Sequence, residues 1–191
     1  MESDRILELL LHGNQLKQTV RTGWAQRGIP APESVADHSY GVIFCALLLT
    51  QLIDQPFDLA AVLAMATLHD LPEGLTTDIP APVWALFPEG MKEPAERLAM
   101  ETIASSAPAA AGLLDWWEAY RRNESAEAQL VHDADKLDQY LQAYVYHTHF
   151  GNRQLDEFWA VSRRYHFPEA QALYEALRSR RESDIRQTPP T

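Results

Sequence analysis

The stretch LHDLPEGLTTDIPAP, residues 68–82, ends a long apolar run in an adjacent His69-Asp70 pair and then adds Glu73 and Asp78. Charged side chains are rarely buried unless they are paired or bind a metal. Upstream, DLAAVLAMATLHD has helical spacing, with Asp58 placed to cap it. Pro72 disturbs its last turn because proline offers no N–H, and GLTTDIPAP then reads as a loop. A helix ending in this way needs partners for its charges from other parts of the chain, so the rest of the sequence is read for them.

Working outward, helical periodicity recurs and no alternating strand pattern competes with it. A first helix is predicted over residues 3–20, with Ile6, Leu9, Leu10, Leu16 and Val20 as its apolar positions. After the loop GIPAPE, Ser34 and Asp37 form a capping pattern that opens a second helix reaching residue 54. This helix is apolar on nearly all sides, which places it centrally. Further helices are predicted over KEPAERLAMETIASS and over residues 109–122, 126–150, 154–165 and 169–180. The fold class is all-α, one domain over residues 1–181 with a flexible tail over 182–191.

The 191 residues, 46% hydrophobic and 23% charged, match a soluble domain able to bury its own core. The uninterrupted apolar run VIFCALLL, residues 42–49, is too short to cross a bilayer, and the N-terminus reads as a helix start and not a signal peptide. Cys45, the single cysteine, lies inside that run and reads as a buried small hydrophobe. A net charge of −11 argues against nucleic-acid or anionic-membrane binding, since both need a basic face. A small phosphorylated ligand stays compatible, because a cation and an arginine or two can reverse the local field. A cytoplasmic location fits these features.

Among seven histidines, His38 lies one turn into the central helix, and His69-Asp70 closes the third. Downstream, VHDADKLDQYL sets Asp133, Asp135 and Asp138 on a long amphipathic helix. Two imidazoles and two carboxylates from three helices could converge on one divalent cation; mixed N and O donors suit Mn, Co, Fe or Zn better than Ca. Helical spacing does not choose between Asp133 and Asp135, since both flank the stripe of Leu130, Leu137 and Leu141. His147 and His149 are two apart on a helix and point in different directions, and Trp116 and Trp117 read as core or interface residues.

The ordered set His38, His69-Asp70 and Asp135 resembles the H…HD…D signature of the HD-domain metal-dependent phosphohydrolases. RTGW, PESVADHSYG, HDLPEGLTTDIPAPV, AERLAMETI, DADKLDQYLQAYVY and LDEFW together resemble its 5'-deoxynucleotidase branch. The resemblance implies an HD-domain helical bundle with a single buried metal site between helices. It also implies a homodimer, a nucleotide substrate and one divalent metal ion per subunit, cobalt or manganese, with magnesium, zinc or iron as alternatives. It makes His38, His69, Asp70 and Asp135 the metal ligands, selecting the second Asp of D-x-D-K. Glu73 becomes the residue that orients water or acts as general acid–base. Arg21 becomes the phosphate clamp, Thr76 a phosphate hydrogen-bonder and Asp78 the acceptor for the sugar 3'-hydroxyl. Trp24 takes the place of a tryptophan that crowds the 2' position. Here Thr22 and Gly23 separate it from Arg21, as in one group of the branch.

Three other readings compete. A di-iron oxygenase of the same superfamily needs further histidines between the HD pair and the last Asp, and none stands between Asp70 and Val131. A non-catalytic nucleotide-binding regulator would be marked by a broken ligand set or a missing Glu73. A phosphohydrolase acting on triphosphates or another small phosphate ester would share the same metal core.

Overall fold

The two imidazoles of the sequence pattern lie on neighbouring helices of an α-helical bundle. The computed structural model describes residues 1–187, and among these there is no β-strand, only an isolated antiparallel bridge between Val20 and Ser34. The helices are α1 (Glu2–Gln15), α2 (Thr22–Ala25), α3 (Val35–Leu52), α4 (Leu59–Leu68), α5 (Glu73–Thr76) and α6 (Ala81–Trp84). They continue with α7 (Lys92–Ser105), α8 (Ala111–Arg122), α9 (Ala126–Phe150), α10 (Asp156–Trp159) and α11 (Pro168–Gln187).

Three well-marked helices carry the site. Helix α3 starts at a reciprocal capping box: the Asp37 N–H donates to Ser34 Oγ at 3.1 Å, and the Ser34 N–H donates to Asp37 at 2.8 Å. Asp58 caps α4 by accepting from the N–H groups of Ala60 and Ala61 at 2.9 and 3.2 Å. Ser125 caps α9, which ends at Gly151 in the left-handed region with φ 61°. Val42, Leu49, Val62, Leu130, Leu137 and Tyr140 join these three helices in one buried cluster. Each such side chain contributes roughly 1.5–3 kcal/mol through burial.

Helix α3 is central on one side only. It packs against α4 and α9, while Tyr40, Phe44, Leu48 and Leu52 lie exposed along its outer face. By length and mean hydropathy (1.3) this 18-residue helix would suffice to span a bilayer. Its inward His38 and Ser39 and its packing in the bundle account for it as a core helix.

Several boundaries differ from the expected ones. α1 stops at Gln15 because the segment after it pairs with the entry to α3: Val35 N–H donates to the Thr19 carbonyl at 2.8 Å and Arg21 N–H to the Glu33 carbonyl at 3.0 Å. GLTTDIPAP is not all loop, since α5 turns through Glu73–Thr76. The helix expected over residues 154–165 shrinks to a 3₁₀ turn, Arg153–Leu155, and α10. α10 ends at Trp159, and the non-helical segment after it runs to the buried Asp133 carboxylate, which accepts the His166 and Phe167 N–H groups at 2.8 and 2.9 Å. Pro168 then opens α11, which runs through Gln187 into the expected tail. The buried Arg181 guanidinium anchors it by pairing with Asp156 and lying over the Trp159 ring. Residues 188–191 of that tail lie outside the described residues.

Candidate active site

His38, in the first turns of α3, is fully buried, and His69 caps the C-terminal end of α4. His69 Nδ1 lies 2.8 Å from the Ala66 carbonyl. A carbonyl only accepts, so Nδ1 is the donor and Nε2 presents its lone pair inward. His38 Nδ1 lies 2.7 Å from an Asp138 carboxylate oxygen, which orients this ring in the same sense. The two Nε2 atoms stand 3.4 Å apart. Asp135 Oδ1 is 3.2 Å from His38 Nε2, and Asp70 Oδ2 is 3.3 Å from His69 Nε2 and 3.7 Å from His38 Nε2.

Four lone-pair atoms therefore converge, opposed by one guanidinium: Arg21 Nη1, 3.3 Å from Asp70 Oδ2. Such a cluster needs positive charge, supplied by protons or by a metal. Burial and Arg21 push the His38 imidazole down, but the Asp135 and Asp138 carboxylates more than offset them and raise its pKa to about 9. His69 is raised as well, with Asp70 opposing the effect of burial. Burial pushes Asp70 and Asp135 up, yet the neighbouring imidazoles hold both below the usual carboxylate range, helped at Asp70 by Arg21. The donor set fits a divalent cation accepting mixed N and O ligands, with His38, His69, Asp70 and Asp135 as the residues that would hold it.

The structure separates the two aspartates that spacing left equivalent. Asp133 points away from the imidazoles and caps the start of α11, also taking His166 Nδ1 at 2.8 Å. Asp138, to which no role was given, is the carboxylate behind His38. It is three residues beyond Asp135, on the same helix face. Gly41, one turn beyond His38, completes the seam: a Cβ there would stand 2.0 Å from Asp138 Oδ1.

Beside the cluster opens a cavity of about 340 Å³ lined by Arg21, Trp24, Asp70, Glu73, Asp78 and Asp135, among others. Glu73 Oε2 is buried there with no hydrogen-bond partner. Burial, then the Asp70 and Asp78 carboxylates, push the Glu73 pKa up to about 10. Asp78 holds the start of α2, accepting the Thr22 N–H at 2.6 Å. Between Glu73 and Asp78, Thr77 sits at φ 63°, a strained conformation for a β-branched residue that turns the chain sharply at the cavity wall.

The HD domain family matches residues 13–173 of this chain. This chain belongs to the HD-domain family. The 5'-deoxynucleotidase HDDC2 of Danio rerio is 33% identical over 193 residues, covering 95% of this chain and 90% of its own. The human protein of the same name is 31% identical over 184 residues, covering 94% and 88%. Among solved structures, the PH0347 protein of Pyrococcus horikoshii OT3 superposes with a TM-score of 0.77 at 34% identity, over 90% of this chain and 97% of that one. A predicted metal-dependent phosphohydrolase from Magnetospirillum magnetotacticum MS-1 shares the fold, with a TM-score of 0.70 at 21% identity over 97% and 93% of the two chains.

Of Trp24 and Thr76, both expected at the substrate, this HD-domain protein brings only Trp24 to the cavity. Trp24 is almost wholly buried, its Nε1 donating to Glu33 at 2.8 Å and its ring set edge-on to Tyr146. It is a fixed wall of the cavity and a core residue at once. Thr76 is not brought to the cavity: its hydroxyl turns back to the carbonyls of Pro72 and Thr77, at 3.3 and 3.2 Å. The helical turn of α5, expected to be loop, accounts for that orientation. Behind the cluster, Trp117 Nε1 donates to the His69 carbonyl at 3.3 Å and Tyr120 packs edge-on to the His69 ring.

Proposed function

We propose that this chain is a metal-dependent 5'-deoxynucleotidase, hydrolysing deoxyribonucleoside 5'-monophosphates to deoxyribonucleosides and phosphate. The observation that carries the reading is the convergence of His38, His69, Asp70 and Asp135 beside a cavity into which Glu73 and Arg21 also project. Relatives named 5'-deoxynucleotidase, aligned over nearly the whole chain, support the choice of substrate. The reading includes one divalent ion per subunit, cobalt or manganese first and magnesium, zinc or iron next, together with a homodimeric, cytoplasmic enzyme.

A bound divalent ion supplies Lewis acidity to a phosphoryl oxygen and lowers the pKa of water. Arg21 binds phosphoryl oxygens through its planar fork while its contact with Asp70 fixes its direction. Glu73, whose buried Oε2 has no other partner, donates a proton to the departing 5'-oxygen and regains one from the attacking water. One carboxyl thus carries one proton through the reaction. Asp78 spends one oxygen on the Thr22 N–H and offers the other to the sugar 3'-hydroxyl. Trp24, fixed on both its polar and apolar sides, restricts space near the sugar.

The test is phosphate release from deoxy- and ribonucleoside 5'-monophosphates and dNTPs. Chelator-stripped protein is reloaded with Co, Mn, Mg or Zn beside an Asp70→Ala control. Metal-dependent release from the deoxy monophosphates, lost in the control, is the expected outcome. Metal-loaded protein that leaves all of them intact would sink the assignment.

A further inference from the structure

The motif LDEFW, residues 155–159, has no part in the chemistry derived so far. Its Leu155 and Trp159 are buried in the core and Asp156 holds Arg181. Phe158 instead lines the cavity that contains Asp70, Glu73 and Asp135. Arg27 lies over the Phe158 ring, its Cζ 4.7 Å from the ring centroid, and lines the same cavity. Its guanidinium is held in place, donating to the Gly23 carbonyl at 2.6 Å and pairing with Glu157 of the same motif. The Phe158 ring also packs against Trp24, with ring centroids 5.0 Å apart.

Gln139 also lines this cavity, and among the described residues its carboxamide has no hydrogen-bond partner. It stands four residues after Asp135 on α9, so it lies on the same side of the helix, about one turn or ~6 Å farther on. The following residue, Tyr140, ties α9 to the motif: its hydroxyl donates to the Phe158 carbonyl at 2.9 Å. The cavity thus leads from the acceptor cluster to an aromatic–guanidinium wall, with an idle amide beside it. Flat rings stack on aromatic and guanidinium planes, and an unpaired amide in a binding cavity favours ligands that pair with it.

We propose that Phe158 and Arg27 form the wall against which the nucleobase of the substrate packs, and that Gln139 hydrogen-bonds the base edge. The inference rests on the nucleotide reading above and deepens it: the site selects nucleotides over plain sugar phosphates through groups outside the metal cluster. Phe158→Leu keeps apolar bulk against Trp24 while removing the aromatic face, and Gln139→Leu removes the amide at similar size.

The probes are dAMP, dTMP and 2-deoxyribose 5-phosphate, measured by equilibrium binding and by turnover on the full metal-loaded chain. Wild-type protein is expected to bind the nucleotides at least tenfold more tightly than the sugar phosphate. Each variant should reduce that preference by tenfold or more, chiefly by weakening nucleotide binding. Equal wild-type binding of the three probes, or a preference unchanged in both variants, overturns the inference. Preferential nucleotide binding without turnover instead overturns the hydrolase reading and leaves the base wall standing.

Discussion

Glu73 and Asp138 are two carboxyl groups near one metal cluster with opposite electrostatic tasks. Glu73 has a buried oxygen with no partner and neighbours of its own sign, so the proton is its stable companion. Glu73→Gln keeps the shape and removes the proton transfer. We expect turnover of deoxy monophosphates to fall about 10²–10⁴-fold, with a melting temperature equal to or above that of the parent. A large loss of stability would instead assign Glu73 a structural role. Asp138 faces an imidazole N–H and acts through it, raising the basicity of His38 and fixing its tautomer. Asp138→Asn should weaken metal affinity about 10–100-fold in competition with a chelator, and unchanged affinity would remove Asp138 from the metal-supporting set.

At the scale of elements, the site depends on how closely α3 and α9 meet. Gly41 ordinarily costs a helix interior about 1 kcal/mol relative to alanine. Here glycine is needed, because a Cβ would drive into Asp138, which His38 holds in place. Gly41→Ala is therefore expected to destabilise the fold by roughly 1–3 kcal/mol and to weaken metal binding with it, as read from urea unfolding with and without chelator. In an Asp138→Ala background the same substitution should cost much less, a coupling that a double-mutant cycle measures. Helices whose ends carry their own signals, α3 with Ser34 and Asp37 and α4 with Asp58, were legible in the sequence. A break before α11 was expected, and Asp133, more than thirty residues away in the chain, fills it by accepting the N–H groups of His166 and Phe167; the early end of α10 at Trp159 was not legible.

For the whole molecule, the cluster couples metal, protons and stability. His38 has an ordinary pKa of 6.5 raised to about 9 in the folded metal-free protein. Its contribution is therefore complete below pH 6.5 and lost as pH rises through about 9. Glu73, raised from 4.5 to about 10, acts with the same sign across that window. Chelator-stripped protein should lose stability between pH 6.5 and 9, on the order of 3 kcal/mol from His38 alone. Metal displaces those protons, so the metal-loaded protein should gain its greatest advantage at the alkaline end. Melting temperatures across this range check both curves, and parallel curves would mean that the cluster does not exchange protons for metal.

The helical class and the caps of α3 and α4 followed from sequence, because periodicity and capping act over a few residues, while the grouping of His38, His69-Asp70 and a downstream aspartate came from the family resemblance. The choice of Asp135 over Asp133 came from the D-x-D-K resemblance, and the direction of each side chain accounts for it. Asp138 behind His38, the need for glycine at position 41, the turn of Phe158 into the cavity and the turn of the Thr76 hydroxyl onto its own backbone were decided by the folded structure. Each depends on contacts between segments distant in the chain or on a local turn that no short-range pattern specifies.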